Sequence, residues 1–260
     1  MKKLNNLELS EENGISYIFL NRPPVRNALN AEMVRELISA VNFFAKENDT
    51  RVIIISGRGK AFCAGADMNW LREAMDSAYE QNYTESYAFT ELMYSINECP
   101  KPVISAVNGA AIGGGAGIAA ASDIVIASDE SVFGLSEVRI GLVPAAIAPF
   151  IIKRIGEARA KEIFLTGRRI KAIEAKEIGL VNITVQPEYL VAKANAYADM
   201  IIKNGPEALA HVKRLIIQNN KLDKKELMDY MAKLIAGLRT SREGREGVTA
   251  FLEKRPPEWG

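Results

Sequence analysis

The chain has 260 residues, 48% of them hydrophobic, and sets 33 lysines and arginines against 32 aspartates and glutamates for a net charge of +1. That length suits one large α/β domain or a domain with a helical appendage, and no linker is visible along it. Near-neutrality removes any global electrostatic case for nucleic acid or an anionic membrane surface as partner, so an anionic ligand must be gripped locally.

Met1 to Gly14 is charged and lacks an apolar h-region, which predicts neither signal peptide nor transit sequence and hence a cytoplasmic protein. Ile15 to Leu20 reads as a strand that ends in Asn21-Arg-Pro-Pro24, where two prolines forbid further ladder pairing. Arg26 stands in the loop that follows. Asn30 then caps a helix whose apolar residues Met33, Val34, Leu37, Ile38, Val41, Phe44 and Ala45 recur at helical spacing. Arg51 to Gly57 is a strand with an unbroken apolar middle, as expected of one buried on both faces. Strand, helix, strand in that order argues for α/β architecture.

Gly57 to Lys60 forms a turn, and the small residues Ala61 to Asp67 open a helix at Met68, with Gly65 exposing backbone. Asn69 to Glu98 reads as mixed helix and loop, its Tyr79, Tyr83, Tyr87, Phe89 and Met93 best taken as helix packing. Pro100 and Pro102 introduce a strand, Val103 to Val107, followed by Gly113, Gly114 and Gly115 and a narrow helix from Ala116 to Ala121. Glycines without Cβ atoms at a helix N-terminus present backbone N–H groups to an oxyanion. The same glycines also suit tight packing of helix on strand. Nucleotide motifs do not fit: Ile118 stands where a dinucleotide fingerprint needs its third glycine, and no Lys-Ser/Thr pair follows Gly115 as a P-loop requires.

Ile124 to Ala127 is a short strand, Ser131 to Glu137 returns toward the middle of the fold, and a helix runs from Pro149 onward. Glu137, between Phe133, Leu135, Val138 and Leu142, is placed for a carboxyl raised by desolvation, as an acid/base near neutrality requires; a surface salt bridge to Arg139 is the plainer role. Cys63 and Cys99 are too few for a disulfide framework without export. The single histidine, His211, lies on a partly exposed face of a predicted helix, excludes the commonest zinc sets and gives a thiol no nearby base, so no metal site is expected. Chemistry must run on carboxylates, backbone amides, or both.

Three segments together, Phe62-Cys-Ala-Gly-Ala-Asp67, Ala106-Val-Asn-Gly-Ala-Ala-Ile-Gly-Gly-Gly115 and Phe133-Gly-Leu-Ser-Glu-Val-Arg-Ile-Gly-Leu142, resemble the signature regions of the enoyl-CoA hydratase/isomerase (crotonase) superfamily. Asn21-Arg-Pro with Asn27-Ala-Leu29, and Glu246-Gly with Ala250-Phe-Leu-Glu-Lys-Arg255, are similar to that family as well, so the likeness runs nearly end to end. It implies an α/β fold, a spiral of ββα repeats over residues 1–200 that carries an acyl-CoA site, with a helical oligomerisation region over 201–260 and assembly as a homotrimer or homohexamer. It implies an acyl-CoA thioester substrate whose coenzyme A is the only cofactor-like group, no prosthetic group, and no nucleic-acid or membrane partner. By the same resemblance the amides of Ala66 and Gly114 hold the thioester enolate, Glu137 is the acid/base, and Arg26, Ala64, Asp67, Phe251 and Lys254 fall near the CoA.

Two departures from the family pattern stand out. A second glutamate is expected two residues after the glycine triplet, where this chain has Gly117, and Pro144-Ala-Ala-Ile-Ala-Pro149 replaces a segment more often rich in glycine. The implied activity is hydration of an enoyl-CoA with Glu137 as single acid, on a branched or methylglutaconyl-type substrate. A 3-enoyl to 2-enoyl-CoA isomerase needing one base, and a non-catalytic acyl-CoA-binding member, are the alternatives.

Overall fold

Alternation of side chains along apolar strands sets the architecture. The computed structural model describes residues 4–259, and Met1 to Lys3 of the segment read for a targeting signal lie outside them. Strands β1 (Leu7–Glu12) and β2 (Ile15–Leu20) form an antiparallel hairpin in which Leu7 faces Leu20. β1 is not evident in the sequence because Leu7-Glu-Leu-Ser-Glu-Glu12 is an edge strand whose glutamates resemble a solvated loop. Helix α1 (Ala31–Lys46) starts where expected: Met33 N–H donates to Asn30 Oδ1 at 2.8 Å, and Met33, Val34, Leu37, Val41 and Phe44 are buried.

β3 (Val52–Gly57) lies parallel to β2 and divides its apolar residues between two cores. Ile53 and Ile55 join the core beneath α1, whereas Val52 and Ile54 join a second core on the opposite face. The chain then crosses to a second sheet with β4 (Ala61–Cys63) and continues through α2 (Met68–Asp76) and α3 (Tyr79–Asn97). β5 (Val103–Val107) returns to the first sheet, β6 (Ala110–Ile112) to the second, and α4 (Gly114–Ala121) follows. β7 (Ile124–Ser128) and β8 (Val132–Gly134) repeat the crossing before a short turn of helix at Glu137–Ile140 and α5 (Ala148–Thr166). Three successive units thus give one strand to each sheet and then a helix, which is the expected spiral.

β9 (Arg169–Lys171), α6 (Ala172–Glu177) and β10 (Ile183–Val185) close the sheets, whose orders are β1-β2-β3-β5-β7-β10 and β4-β6-β8-β9. α7 (Leu190–Ile202) covers the second core with Leu190, Ala194 and Ala198. α8 (Pro206–Asn219), α9 (Lys224–Thr240) and α10 (Arg242–Glu253) complete the chain. α8 and α9 bury no residue fully and α10 buries only Ala250, while Lys213 ties α8 to Asp123 at 2.5 Å. No helix among the described residues is long and apolar enough to cross a membrane.

The segment read as mixed helix and loop is almost wholly helical, since only Ser77 and Ala78 separate α2 from α3. Its aromatics also divide. Phe89 packs against the core and Met93 is buried, whereas Tyr79, Tyr83 and Tyr87 are exposed, Tyr79 stacking on Tyr83 and Tyr83 lying tilted against Tyr87 along their own helix, so core packing does not account for them. Phe62 is fully buried in β4, between the sheets and directly before the glycine-containing loop. Phe62→Ala should therefore destabilise the protein by about 3–5 kcal/mol, the cost of a large core cavity. Denaturant unfolding measures this, and a loss well under about 1 kcal/mol contradicts that placement.

Candidate functional site

Three neighbouring parallel strands of the small sheet, β4, β6 and β8, end at Cys63, Ile112 and Gly134. The residues just beyond those ends are the ones that sequence singled out: Ala66, Gly114 and Glu137. The carboxyl ends of parallel strands are where α/β sheets bind ligands.

At the first end, Leu29 N–H donates to Gly65 O at 2.7 Å and Asp67 N–H donates to Leu29 O at 2.8 Å. Leu29 thus clamps both neighbours of Ala66. The exposed Ala66 keeps its own N–H without a partner among the described residues. At the second end, Gly113 N–H extends the ladder to Gly134 O at 2.7 Å, and the backbone at Gly113 (φ +50°, ψ −114°) then turns sharply into α4. Gly114 is the first residue of that helix, and its N–H likewise has no partner among the described residues. The helix dipole adds partial positive charge there.

The third end supplies the acid. A Cβ placed on Gly113 would stand 3.0 Å from Glu137 Oε1 and 3.9 Å from Gly65 Cα, so all three segments meet at a point where a side chain would intrude. Glu137 Oε2 is buried without a hydrogen-bond partner. Burial pushes the carboxyl above its ordinary value, and a hydrogen bond with its own backbone offsets this only partly. Arg139 points outward, and no ion pair joins it to Glu137 among the described residues. Nearby Cys63 is fully buried, which pushes its thiol up to about 12 and keeps it protonated at neutral pH. Among the described residues no cluster of His, Cys, Asp and Glu has the makings of a metal site. His211 is half-buried on α8, with Nδ1 unpartnered.

The two segments that depart from the expected pattern touch each other. A Cβ on Gly117 would fall within contact distance of Ile147 Cγ2, 2.9 Å from Ile147 Cβ and 3.1 Å from Met93 Sδ. Ile147 belongs to the Pro144–Pro149 segment, is buried, and occupies the space a side chain at position 117 would take. The start of α4 is apolar as well, since Leu29 Cδ1 and Phe89 Cζ lie 2.6 and 2.9 Å from a Cβ placed on Gly114. Sequence reasoning did not find Ile147 or Leu29 as parts of the site. Ile147 is far from Gly117 along the chain, and only the pairing of two anomalies hinted at it.

The remaining expected residues are placed differently from one another. Arg26 is exposed, and its carbonyl accepts from Ala64 N–H at 3.0 Å, so the Arg26 loop and the Ala64–Asp67 loop are joined. Asp67 is buried: it caps α2 through Asn69 N–H at 2.9 Å and pairs with Arg22 Nη1 at 2.9 Å. Burial raises its carboxyl, but the Asn69 amide and Arg22 outweigh that and hold it below the ordinary value. Phe251 and Lys254 are exposed at the end of α10, and no hydrogen bond or ion pair of the described residues ties them to the loop at Ala66.

Comparison with known proteins gives a consistent result. A family model described as enoyl-CoA hydratase/isomerase matches residues 10–260. A short-chain-enoyl-CoA hydratase of Clostridium acetobutylicum is 32% identical over 262 residues, covering 98% of each chain. A trans-2-decenoyl-[acyl-carrier-protein] isomerase of Streptococcus mutans is 29% identical over 250 residues, covering 95% of each. The crystal structure of an enoyl-CoA hydratase from Shewanella pealeana superposes with a TM-score of 0.95 at 34% identity, covering 99% of this chain and 97% of that one. With the fold, the full-length match and the order of its signature segments in agreement, the chain belongs to the enoyl-CoA hydratase/isomerase family of the crotonase superfamily.

Proposed function

We propose that the protein adds water across the 2,3 double bond of an enoyl-CoA thioester, with Glu137 as its sole acid/base. The observation that carries this reading is the desolvated Glu137 carboxyl, its Oε2 without a partner, lying against the glycine turn whose next amide, Gly114 N–H, is free. The thioester carbonyl oxygen accepts from Ala66 and Gly114 N–H. Glu137 takes a proton from water as its oxygen bonds to C3, and the π electrons move through C2 to the carbonyl oxygen as an enolate. Protonated Glu137 then returns that proton to C2, the carbonyl re-forms, and the net change is addition of one water. Each amide donor in such a hole is worth about 10²–10³ in rate.

Leu29, Phe89, Ile147 and Met93 beside α4 support an aliphatic acyl group, straight or branched, more than a dicarboxylic one of methylglutaconyl type, because none of them offers a cation to a second carboxylate. The CoA portion is assigned to the Arg26 side chain, the backbone of the Ala64–Asp67 loop, and Phe251 and Lys254 of a neighbouring subunit. The exposed apolar residues of α9 and α10, among them Ile235, Val248 and Leu252, support the helical region as the oligomerisation surface. Coenzyme A then enters as part of the substrate, with no prosthetic group. A second reading, 3-enoyl to 2-enoyl isomerisation, draws on Ile147: with an apolar side chain in place of a second acid, a proton carrier working between C2 and C4 needs no bound water. Assays of crotonyl-, 3-hexenoyl- and 3-methylglutaconyl-CoA for hydration and double-bond migration separate these readings.

Glu137→Gln should lower kcat at least about 10²-fold with acyl-CoA affinity retained, and wild-type kcat in that variant would mean another group carries the proton. The same substitution has a stability signature. Because folding raises the Glu137 carboxyl above its ordinary value of 4.5, its contribution is fully present below that value and is lost as pH rises through the folded value. The glutamine variant should therefore melt higher than wild type above neutrality, with the gap closing below pH 4.5; a gap independent of pH contradicts the burial argument.

Gly117→Glu alone should fold poorly, since its side chain meets Ile147. Paired with Ile147→Ala it should recover thermal stability, and crotonyl-CoA hydration should hold or rise in the pair while any isomerisation falls. If the single variant is as stable as wild type, Ile147 does not occupy that space. Lys254→Ala, tested in the assembled enzyme, should raise KM several-fold with kcat nearly unchanged, the pattern of lost uniform binding. An unchanged KM removes Lys254 from the CoA site.

A further inference from the structure

Within the signature segment Asn21-Arg-Pro with Asn27-Ala-Leu29, the side chains of Arg22 and Asn27 have no task in the proposed chemistry. Its side chains form a bracket around the loop that carries Ala66. Asn27 is fully buried: its Nδ2 donates to Arg58 O at 2.9 Å and Ala61 O at 2.8 Å, while Arg22 N–H donates to its Oδ1 at 2.8 Å. That fixes the segment on the start of β4. Arg22 then reaches across with one nitrogen, donating to Ala28 O at 2.6 Å and pairing with Asp67 Oδ2 at 2.9 Å. Between these anchors run the two backbone bonds of Leu29 to Gly65 and Asp67. The peptide bearing the free Ala66 N–H is therefore held from both sides, and from its far side by a single ion pair with both members largely buried.

We propose that Arg22 and Asp67 are positioning residues that aim the Ala66 amide at the thioester oxygen. The inference rests on the reading of Ala66 as an oxyanion donor. A preorganised donor is effective only if it does not reorient as charge develops, and Ala66 is exposed between the buried Gly65 and Asp67, with only a methyl group of its own to lock it. Asp67 is the next residue. Its other oxygen caps α2, so one carboxylate joins the loop's exit to the helix and to Arg22 together. Without the pair, the backbone bonds of Leu29 remain but the loop gains freedom to tilt. A misplacement of about 1 Å in such a donor costs about 10²-fold in rate.

The test uses the full-length enzyme, cinnamoyl-CoA as a conjugated thioester whose absorption reddens when its carbonyl is polarised, and three variants. Asp67→Asn retains an oxygen to cap α2 and loses the charge, Arg22→Met retains the stem and loses the guanidinium, and Arg22→Lys restores a cation. In Asp67→Asn and Arg22→Met, kcat should fall about 10- to 100-fold and the red shift of the bound thioester should shrink, with KM within about twofold of wild type. Arg22→Lys should recover part of both. Asp67→Asn is the milder change and remains informative if Arg22→Met does not fold. A full red shift and unchanged kcat in a folded Asp67→Asn, or a loss confined to melting temperature and KM, overturns the positioning role. If wild type itself gives no red shift with bound cinnamoyl-CoA, the oxyanion reading fails and the role of the pair fails with it.

Discussion

Parallel pairing of β4, β6 and β8 is the constraint on which the rest depends. Each strand is only three residues long, yet the ladder aligns Ile112 with Gly134 and Cys63 with Ala111, so three chain segments leave the sheet at one edge. Two of them stay joined beyond the strand ends because Gly113 N–H adds one more ladder bond to Gly134 O before the chain turns into α4. The absence of a Cβ at Gly113 then lets the Glu137 carboxylate approach the same turn. Two free amides and a desolvated acid follow from that backbone geometry.

Much of this was legible in the sequence, and for definite reasons. α1 showed itself through its cap and its seven apolar positions, and β3 and β5 through runs too short and too apolar for a helix. The glycine triplet announced exposed amides, although α4 begins at Gly114, two residues earlier than its alanines suggest. Strands such as β4, β6 and β8 are too short to show period-two alternation, so the small sheet on which the site is built had no local signal. The spiral came only from resemblance. Likewise, the exposed tyrosines of α3 follow helical spacing as well as buried ones would, and periodicity alone does not tell the core face from the outer one.

The contact between Gly117 and Ile147 shows why a missing residue needs a structure to interpret. In sequence, Gly117 reads as a vacancy where an acid is expected. In space there is no vacancy: Ile147 and Met93 fill it. With no second acid at position 117, the raised Glu137 carboxyl is the group that both takes and returns the proton in the proposed reaction.

In the proposed reaction the Ala66 and Gly114 amides grip a thioester oxygen together. Amide proton NMR of the 15N-labelled protein titrated with acetoacetyl-CoA, an enolisable thioester with no double bond to hydrate, reads this directly. These two amide protons should move far downfield on saturation, well beyond any other resonance of the three strand ends. If the ligand binds and either amide stays where it is in the free protein, the oxyanion site is not the one described.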